Sequence, residues 1–395
     1  MNRASSIQVI SIVLVIAVLT ITILGLITIF SVSSVEGLRV SNDALRFVRK
    51  QAIFLLVAIL CAITIYIVPL DFWFSKKMLL LYCIFIFLGL IAVHIPKLGV
   101  SVKGSPRWIE PIPGIRVQPS EFIKIATIIL MAWWQGLPWR KNSSIKEGIL
   151  IPSGALGIVL AGLIIQKDYG STFMLAATCF TIMITAGVNF RFVSGAIVLL
   201  LSLFSLLVAI NPVRLERVLP IIKLNFADSV SPEILKDSLF QVVASISAFH
   251  RGGLFGQGLG HSVFKEHYIP EYHTDFILCM IGEELGLLGV LFVVILILTI
   301  FTCGICISFK TKNILYRLLA LGMTLQISLY AFVNTGVVCG ALPTKGLAMP
   351  FLSYGGSNLI ASYIAIGFLL AVAKYVNEYE ETDEESQHDS SFWNM

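Results

Sequence analysis

Apolar residues occur along this chain in long, nearly uncharged runs that short polar stretches separate. The first run, from about Ile7 to Val35, contains no charged residue between Arg3 and Glu36. About twenty apolar residues in helical conformation cross the hydrocarbon core of a bilayer. The run is too long for the apolar core of a signal peptide, and no small-x-small cleavage site follows it. The pattern therefore predicts a retained first membrane span.

The later runs raise the number of predicted spans to ten. They lie at about residues 51–68, 78–95, 120–135, 149–165, 171–188, 193–210, 276–301, 315–338 and 359–376. An even number of spans places both termini on one side of the membrane. The expected fold class is an all-α polytopic integral membrane protein, with a ten-helix membrane domain over residues 1–376. The one large exterior loop, residues 211–272, separates helices 7 and 8.

Composition supports this class. Hydrophobic residues make up 57% of the chain and charged residues 13%, whereas soluble domains have roughly 25% charged residues. Nearly all of the seven cysteines fall within apolar runs, where a free thiol behaves as a small hydrophobe. Cys303 and Cys306 have CxxC spacing but no second pair or nearby histidine, so neither a metal site nor a disulfide framework is expected.

The distribution of basic residues predicts the orientation. Lysines and arginines in short loops on the side of the termini mark that side as cytoplasmic under the positive-inside rule. These residues are Lys76, Lys77, Arg140, Lys141, Lys146, Lys310 and Lys312. The opposite loops are basic too, including the short one around Arg107, which indicates an anionic ligand on the exterior face. The acidic, serine-rich segment 377–395 is expected to be a disordered cytoplasmic tail.

The segment Tyr268–Phe276 concentrates the most chemistry. It carries Glu271, His273 and Asp275 directly before an apolar run. An ionisable group beside hydrocarbon is costly and marks a functional site. The alternative is that Asp275 only caps the helix that follows, since aspartate is a favoured N-cap residue. If a metal binds, the carboxylates favour Mg²⁺ or Mn²⁺, with Asp275 as a ligand.

Further polar segments fall on the same predicted face. Irregular polar loops at membrane depth are tolerated where they line a cavity, and five charged residues there predict one. They are Arg107, Asp168, Arg217, Asp275 and Lys345. Glu121 and Lys124 should turn inward one helical turn apart, although Ser120 could serve only as a helix cap. The glycine-rich stretch 252–260 predicts a tight turn rather than a phosphate loop. Trp108 suits either an interfacial aromatic belt or the floor of a sugar site.

These segments, in this order, resemble the SEDS family (shape, elongation, division and sporulation), and its division branch more than its elongation branch. The resemblance covers about residues 38–371, and its most specific pieces are 103–109 with 118–121, 268–286, and 342–346 with 350–357. Lys167 stands where the family usually has proline. Other departures are His250, Arg251, Phe264 and Asn358.

The resemblance implies a peptidoglycan glycosyltransferase that polymerises lipid II on the outer face of the cytoplasmic (inner) membrane, for septal wall synthesis in cell division. It places the family's catalytic aspartate at Asp275. Such chemistry needs a base for the acceptor hydroxyl and positive charge for the leaving pyrophosphate. Asp275 is expected to be the base, and Glu271 or a divalent cation would adjust its basicity. The expected substrate-binding residues are Arg107, Trp108, Glu121, Lys124, Arg217, Lys265, Lys345 and Ser353.

The expected partners are lipid II, the growing glycan strand, membrane lipid, a class B penicillin-binding transpeptidase and other divisome proteins, without nucleic acid. Two alternatives remain open. A lipid II transporter (flippase) would need polar groups at the bilayer midplane and two alternating openings, whereas the interior of the predicted spans is nearly uncharged. A non-catalytic scaffold for a division transpeptidase would not need Asp275.

Overall fold

The structure is a computed structural model, which describes residues 3–102, 104–137, 146–191, 193–195, 197–198, 202, 240–264, 272–342 and 346–392. The chain is mostly helical there. The helices are α1 (Arg3–Ser41), α2 (Arg46–Ile67), α3 (Leu70–Trp73), α4 (Lys76–Ala92), α5 (Pro119–Gly136), α6 (Ile151–Ile165), α7 (Tyr169–Thr185), α8 (Phe240–Gly252), α9 (Ile277–Lys310), α10 (Ile314–Val338) and α11 (Gly356–Phe392). A π-helical turn, Lys146–Leu150, leads into α6.

Among the described residues, six helices are long and apolar enough to cross a membrane, namely α1, α2, α6 with its preceding turn, α9, α10 and α11 up to Glu378. Helix α7 is apolar but shorter. Helices α4 and α5 coincide with two further predicted spans. The predicted span at 193–210 lies largely outside the described residues, so the count of ten stays a prediction.

A small antiparallel sheet corrects the all-α expectation. Strands β1 (Gly99–Val102), β2 (Ser105–Ile112) and β3 (Ile115–Val117) pair in the order β1-β2-β3 between α4 and α5. The turns contain Gly104 and Gly114 with φ of 72° and 82°, which glycine adopts without steric cost. The segment is short and has no clear alternation of apolar and polar residues, so the sequence pattern did not reveal it.

Helices α5, α10 and α11 are largely buried, and the mostly exposed α2 packs against α11. The buried residues of α2 are Gln51, Ala58 and Ile65, whose spacing of seven forms one stripe along the helix. At Gly367 of α11, a Cβ atom would lie 2.9 Å from the carbonyl oxygen of Ala62. The glycine thus permits close contact between the two helices.

A break within α9 receives the glycine-rich turn that follows α8. Gly286 has φ 71° and ψ −168°, and a Cβ there would lie 2.4 Å from the amide nitrogen of Gly256 and from the carbonyl oxygen of Leu254. The amides of Gln257 and Gly258 donate to the carbonyls of Glu283 and Glu284 at 2.9 and 3.0 Å. The four glycines at 253, 256, 258 and 260 all have positive φ, which confirms the predicted tight turn.

Helix α11 continues to Phe392 and so includes most of the acidic segment expected to be disordered. Its glutamates and glutamine are good helix formers, which is a local reason for helical backbone there. Disorder of this tail in solution stays a prediction.

Candidate active site

The short turn before α9 carries Asp275, and three hydrogen bonds hold its backbone. The amide of Tyr354 donates to the carbonyl of His273 at 2.9 Å. The hydroxyl of Ser353 donates to the carbonyl of Thr274 at 2.6 Å. The side-chain amide of Asn334 donates to the carbonyl of Asp275 at 2.8 Å. Consecutive carbonyls are therefore fixed by donors from α10 and from the loop before α11.

The carboxylate of Asp275 is half-buried and lies against the loop that contains Gly346. A Cβ atom at Gly346 would lie 3.1 Å from Asp275 Oδ2. Phe276, not Asp275, occupies the N-cap position of α9, and it makes no side-chain capping bond. The N-cap position thus belongs to Phe276, and a catalytic role of Asp275 stays a prediction. Ser120 is likewise not a cap, because Gln118 holds that position in α5.

An aromatic cluster surrounds the residues just before Asp275. The ring of His273 lies 5.0 Å from Tyr272, 5.6 Å from Phe47 and 5.7 Å from Tyr354, measured between centroids. The hydroxyl of Tyr272 donates to the carboxylate of Glu36 at the end of α1. Burial, and then this hydrogen bond, raise the pKa of Tyr272, so the phenol stays a donor. The Asp275 turn is thereby attached to α1 and α2.

Two adjacent carboxylates near the start of α9 are fully buried, and the sequence analysis assigned them no role. Glu284 accepts a hydrogen bond from the hydroxyl of Ser31 at 2.7 Å and one from the amide of Gly260 at 3.1 Å. Glu283 accepts from the amide of Val263 at 2.9 Å and from the hydroxyl of Ser262. A buried charge is tolerated when it is hydrogen-bonded or paired. These acids therefore fasten the glycine-rich turn to α9 and α1.

Glu121 and Lys124 turn inward from α5, as predicted. Lys124 Nζ lies 2.8 Å from Glu121 Oε1 and 2.7 Å from the hydroxyl of Tyr330 in α10. The lysine is 0% exposed and the glutamate 7%. A cavity of about 10 Å³ adjoins Glu121, and Gln326 and Asn358 line it together with apolar side chains. Contact of either side chain with a substrate stays a prediction.

Asp168, the N-cap residue of α7, brings together polar groups from three elements. The hydroxyl of Ser120 donates to it at 3.2 Å and the side-chain amide of Gln118 at 3.4 Å. Arg107 Nη1 of β2 lies 3.8 Å from Asp168 Oδ1, and Arg107 also donates to the carbonyl of Lys167. Trp108 follows on the same strand with a half-buried side chain. Arg107 and Asp168 thus lie at one site, as the span count predicted.

The turn before α7 contains the family departure at Lys167. This residue has φ 60°, and its Nζ donates to the carbonyl of Gly104 at 2.8 Å. Together with the Arg107 contact, this attaches the β1–β2 turn to the end of α6.

The remaining predicted residues divide into two sets. Ser353 is buried, and its hydroxyl also accepts a hydrogen bond from the amide of Met349 at 2.8 Å. The hydroxyl therefore bonds to two backbone groups, the Met349 amide and the Thr274 carbonyl. Its contact with substrate stays a prediction. The others lie outside the described residues, namely Arg217, Lys265, Glu271 and Lys345. Among the described residues no group of three or more His, Cys, Asp or Glu could hold a metal ion.

An apolar groove of about 430 Å³ lies between α2, α3, α4, α5 and α11. Phe122 lines it directly after Glu121, and Ile125 lines both this groove and the polar cavity. Leu60, Phe85 and Phe368 also line the groove. The small cavity beside Glu121 and the apolar groove are thus neighbours across one turn of α5.

The chain is similar to known proteins over nearly its whole length. Residues 11–378 match the FtsW/RodA/SpoVE family model, described as "Cell cycle protein". A relative named probable peptidoglycan glycosyltransferase FtsW, from Geobacter metallireducens, is 36% identical over 88% of this chain and 90% of its own length. A second of that name, from Trichlorobacter lovleyi, is 36% identical over 88% and 89%.

Solved structures share the fold. A chain of a peptidoglycan synthase complex that coordinates polymerization and crosslinking superposes with a TM-score of 0.68 at 20% identity, over 93% of this chain and 98% of its own. The rod shape determining protein RodA of Thermus thermophilus gives 0.63 at 20% identity, over 92% and 96%. The resemblance found in the sequence is confirmed, and the chain belongs to the FtsW/RodA/SpoVE family of cell cycle proteins.

Proposed function

We propose that this protein is a peptidoglycan glycosyltransferase that polymerises lipid II into glycan strands on the outer face of the cytoplasmic membrane, for septal wall synthesis. Two of its relatives are named probable peptidoglycan glycosyltransferase FtsW. The observation that carries the proposal is the Asp275 turn, in which three hydrogen bonds to consecutive backbone carbonyls fix the turn that presents a partly exposed carboxylate.

In the proposed reaction, the carboxylate of Asp275 accepts the proton of the acceptor sugar's hydroxyl. The hydroxyl oxygen forms a bond to the anomeric carbon of the donor sugar, and the bond from that carbon to the pyrophosphate oxygen breaks. The electron pair leaves with the undecaprenyl pyrophosphate, whose charge Lys345, Arg217 and Lys265 would stabilise. A positioned base contributes roughly 10²–10⁴-fold to such a rate.

The apolar groove suits the polyprenyl chain of the substrate. Its walls are side chains of α2, α3, α4, α5 and α11, and it runs beside the turn of α5 that carries Glu121 and Lys124. A lipid-linked sugar needs a polar site for its head and an apolar path for its chain. The groove meets the second requirement, whereas the cavity beside Glu121, of about 10 Å³, has room for about one water molecule and not for a sugar.

The proposal includes the ten-span topology, with cytoplasmic termini, segment 211–272 outside and localisation at the division septum. It also includes a class B transpeptidase as partner. One of the structures with this fold is part of a complex that coordinates polymerization and crosslinking, which supports pairing with a crosslinking enzyme.

The test is polymerisation of purified lipid II by the purified protein, followed by gel separation of glycan strands. Asp275→Asn keeps the size of the side chain but removes its charge and basicity, so we expect normal abundance and at least roughly 10²-fold less product. Asp43→Asn is the matched control, because Asp43 lies at the surface in an ion pair with Arg49. Full activity of Asp275→Asn would contradict the mechanism. A transporter would be favoured if the unmodified protein moves lipid II across vesicle membranes without polymerising it, and if Asp275→Asn loses that translocation.

A further inference from the structure

Asn334 is a buried polar residue of α10 with an unusual pair of partners. Its side chain is 1% exposed. Nδ2 donates one hydrogen bond to the carbonyl of Asp275 at 2.8 Å and another to the carbonyl of Leu347 at 2.7 Å. Both partners are carbonyl oxygens, which only accept, so the NH₂ group must face them. One amide thus uses both of its hydrogens on two segments that are distant in sequence.

One of these segments carries Asp275, and the other lies against the Asp275 carboxylate. Leu347 directly follows Gly346, the residue whose Cβ position is 3.1 Å from Asp275 Oδ2. Asn334 therefore joins the backbone of the aspartate to the backbone of the loop that its carboxylate faces. Lys345, the proposed ligand of the pyrophosphate, precedes Gly346 in that loop.

We infer that Asn334 is a positioning residue for glycosyl transfer: it fixes the distance between the Asp275 carboxylate and the loop 346–347. This inference rests on the proposed function of Asp275. Asn334 acts on backbone atoms and does not itself touch the reacting groups. Its place in α10, a helix of membrane-spanning length, gives the two segments one common, rigid reference point.

The chemistry of the amide explains the choice of residue. A carboxylate in its place would present acceptors to two carbonyls, and leucine would present no donor. Either change leaves two carbonyls without their donor, which is costly where the surroundings are buried. The expected damage is to geometry, and a misplacement of about 1 Å near reacting atoms can reduce a rate about 10²-fold.

The experiment compares Asn334→Leu with the unmodified protein in the lipid II polymerisation assay. We expect kcat to fall about 10²-fold while KM for lipid II stays within roughly threefold, because orientation and not binding is lost. Ser328→Ala is the matched control: Ser328 is buried in the same helix, and its hydroxyl has no hydrogen-bond partner among the described residues. That variant should keep both constants.

The outcomes are separable. If Asn334→Leu does not fold, Asn334→Ser, which keeps one donor, is measured, and kcat should fall at least roughly tenfold by the same reasoning. An unchanged kcat, or a rise in KM alone, overturns the inference. Asp275→Asn is assayed in parallel: if it is inactive and the Asn334 variant is normal, only the positioning role fails. If Asp275→Asn is fully active, the proposed mechanism and the inference both fail.

Discussion

Lys124 and Glu121 form an ion pair of 2.8 Å one turn apart on α5, and both side chains are buried. A buried ion pair stabilises a folded protein little more than well-packed apolar residues in its place would. Removing only one partner, however, leaves an uncompensated buried charge. The pair thus makes stability and function experimentally separable, which is useful because its contact with substrate is still a prediction.

We expect Lys124→Met to lower the free energy of unfolding by about 3–5 kcal/mol. The double variant Lys124→Met with Glu121→Gln should recover most of that loss, since no unpaired charge remains. If the pair contacts lipid II, the double variant will nevertheless not polymerise it. Thermal melting in detergent and the gel assay measure the two effects, and recovery of both would show a purely structural pair.

Lys345→Ala should weaken use of the lipid II donor more than it affects folding. A charge-assisted contact to phosphate contributes about 1.5–3 kcal/mol, which corresponds to a rise in KM of roughly 10- to 150-fold. Lys97→Ala, a change at an exposed lysine, is the control and should leave KM unchanged. Normal polymerisation by the Lys345 variant at limiting lipid II would exclude this role.

Glu284→Gln should loosen the glycine-rich turn. The amide nitrogen cannot accept from Ser31 or from the amide of Gly260, so one acceptor is lost at a cost of about 1–3 kcal/mol. Local opening should then increase, and hydrogen–deuterium exchange of peptides over 252–264 should accelerate by roughly tenfold or more. Glu378→Gln, at an exposed ion pair with Lys374, is the control. Unchanged exchange in the Glu284 variant would mean that other contacts suffice.

Ala126→Phe should obstruct the apolar groove, which Ala126 lines. A phenyl ring there would displace methylene groups of the polyprenyl chain, each of which contributes about 0.8 kcal/mol when buried. We expect a KM at least several-fold higher for natural lipid II, with little change for a short-chain analogue. Ala155→Phe, at an exposed position of α6, is the control. An equal rise in KM for both donors would mean that the polyprenyl chain binds outside this groove.

Cysteine labelling tests the topology. In intact cells, Ser231→Cys should react with an impermeant thiol reagent, because the positive-inside rule places segment 211–272 outside. Ser75→Cys, in the turn before α4, should react only after lysis. The unmodified chain gives the background from native cysteines, and the reverse pattern would overturn the orientation.

Local patterns in the sequence predicted the parts of the fold that depend on local chemistry. The apolar runs that the structure describes are helices, and the inward placement of Glu121 and Lys124 followed from their spacing. The glycine turn followed from composition. The sheet at 99–117 was missed because it has no regular alternation. The roles of Glu283 and Glu284 were missed because their partners are distant: Ser31 lies 253 residues from Glu284. The bonds of Asn334 depend on tertiary contacts in the same way.

The left-handed turn at Lys167 has a consequence for exchanging parts between relatives. A proline, usual at this position in the family, fixes φ near −65° and cannot adopt the φ of 60° found here. Arg107 and Gly104 both bond to Lys167, so a different turn would displace the partners of the sheet. In a chimera with a proline-bearing relative, residues 99–117 and 166–168 therefore form one transferable unit, and moving either piece alone would separate Arg107 from the backbone it binds.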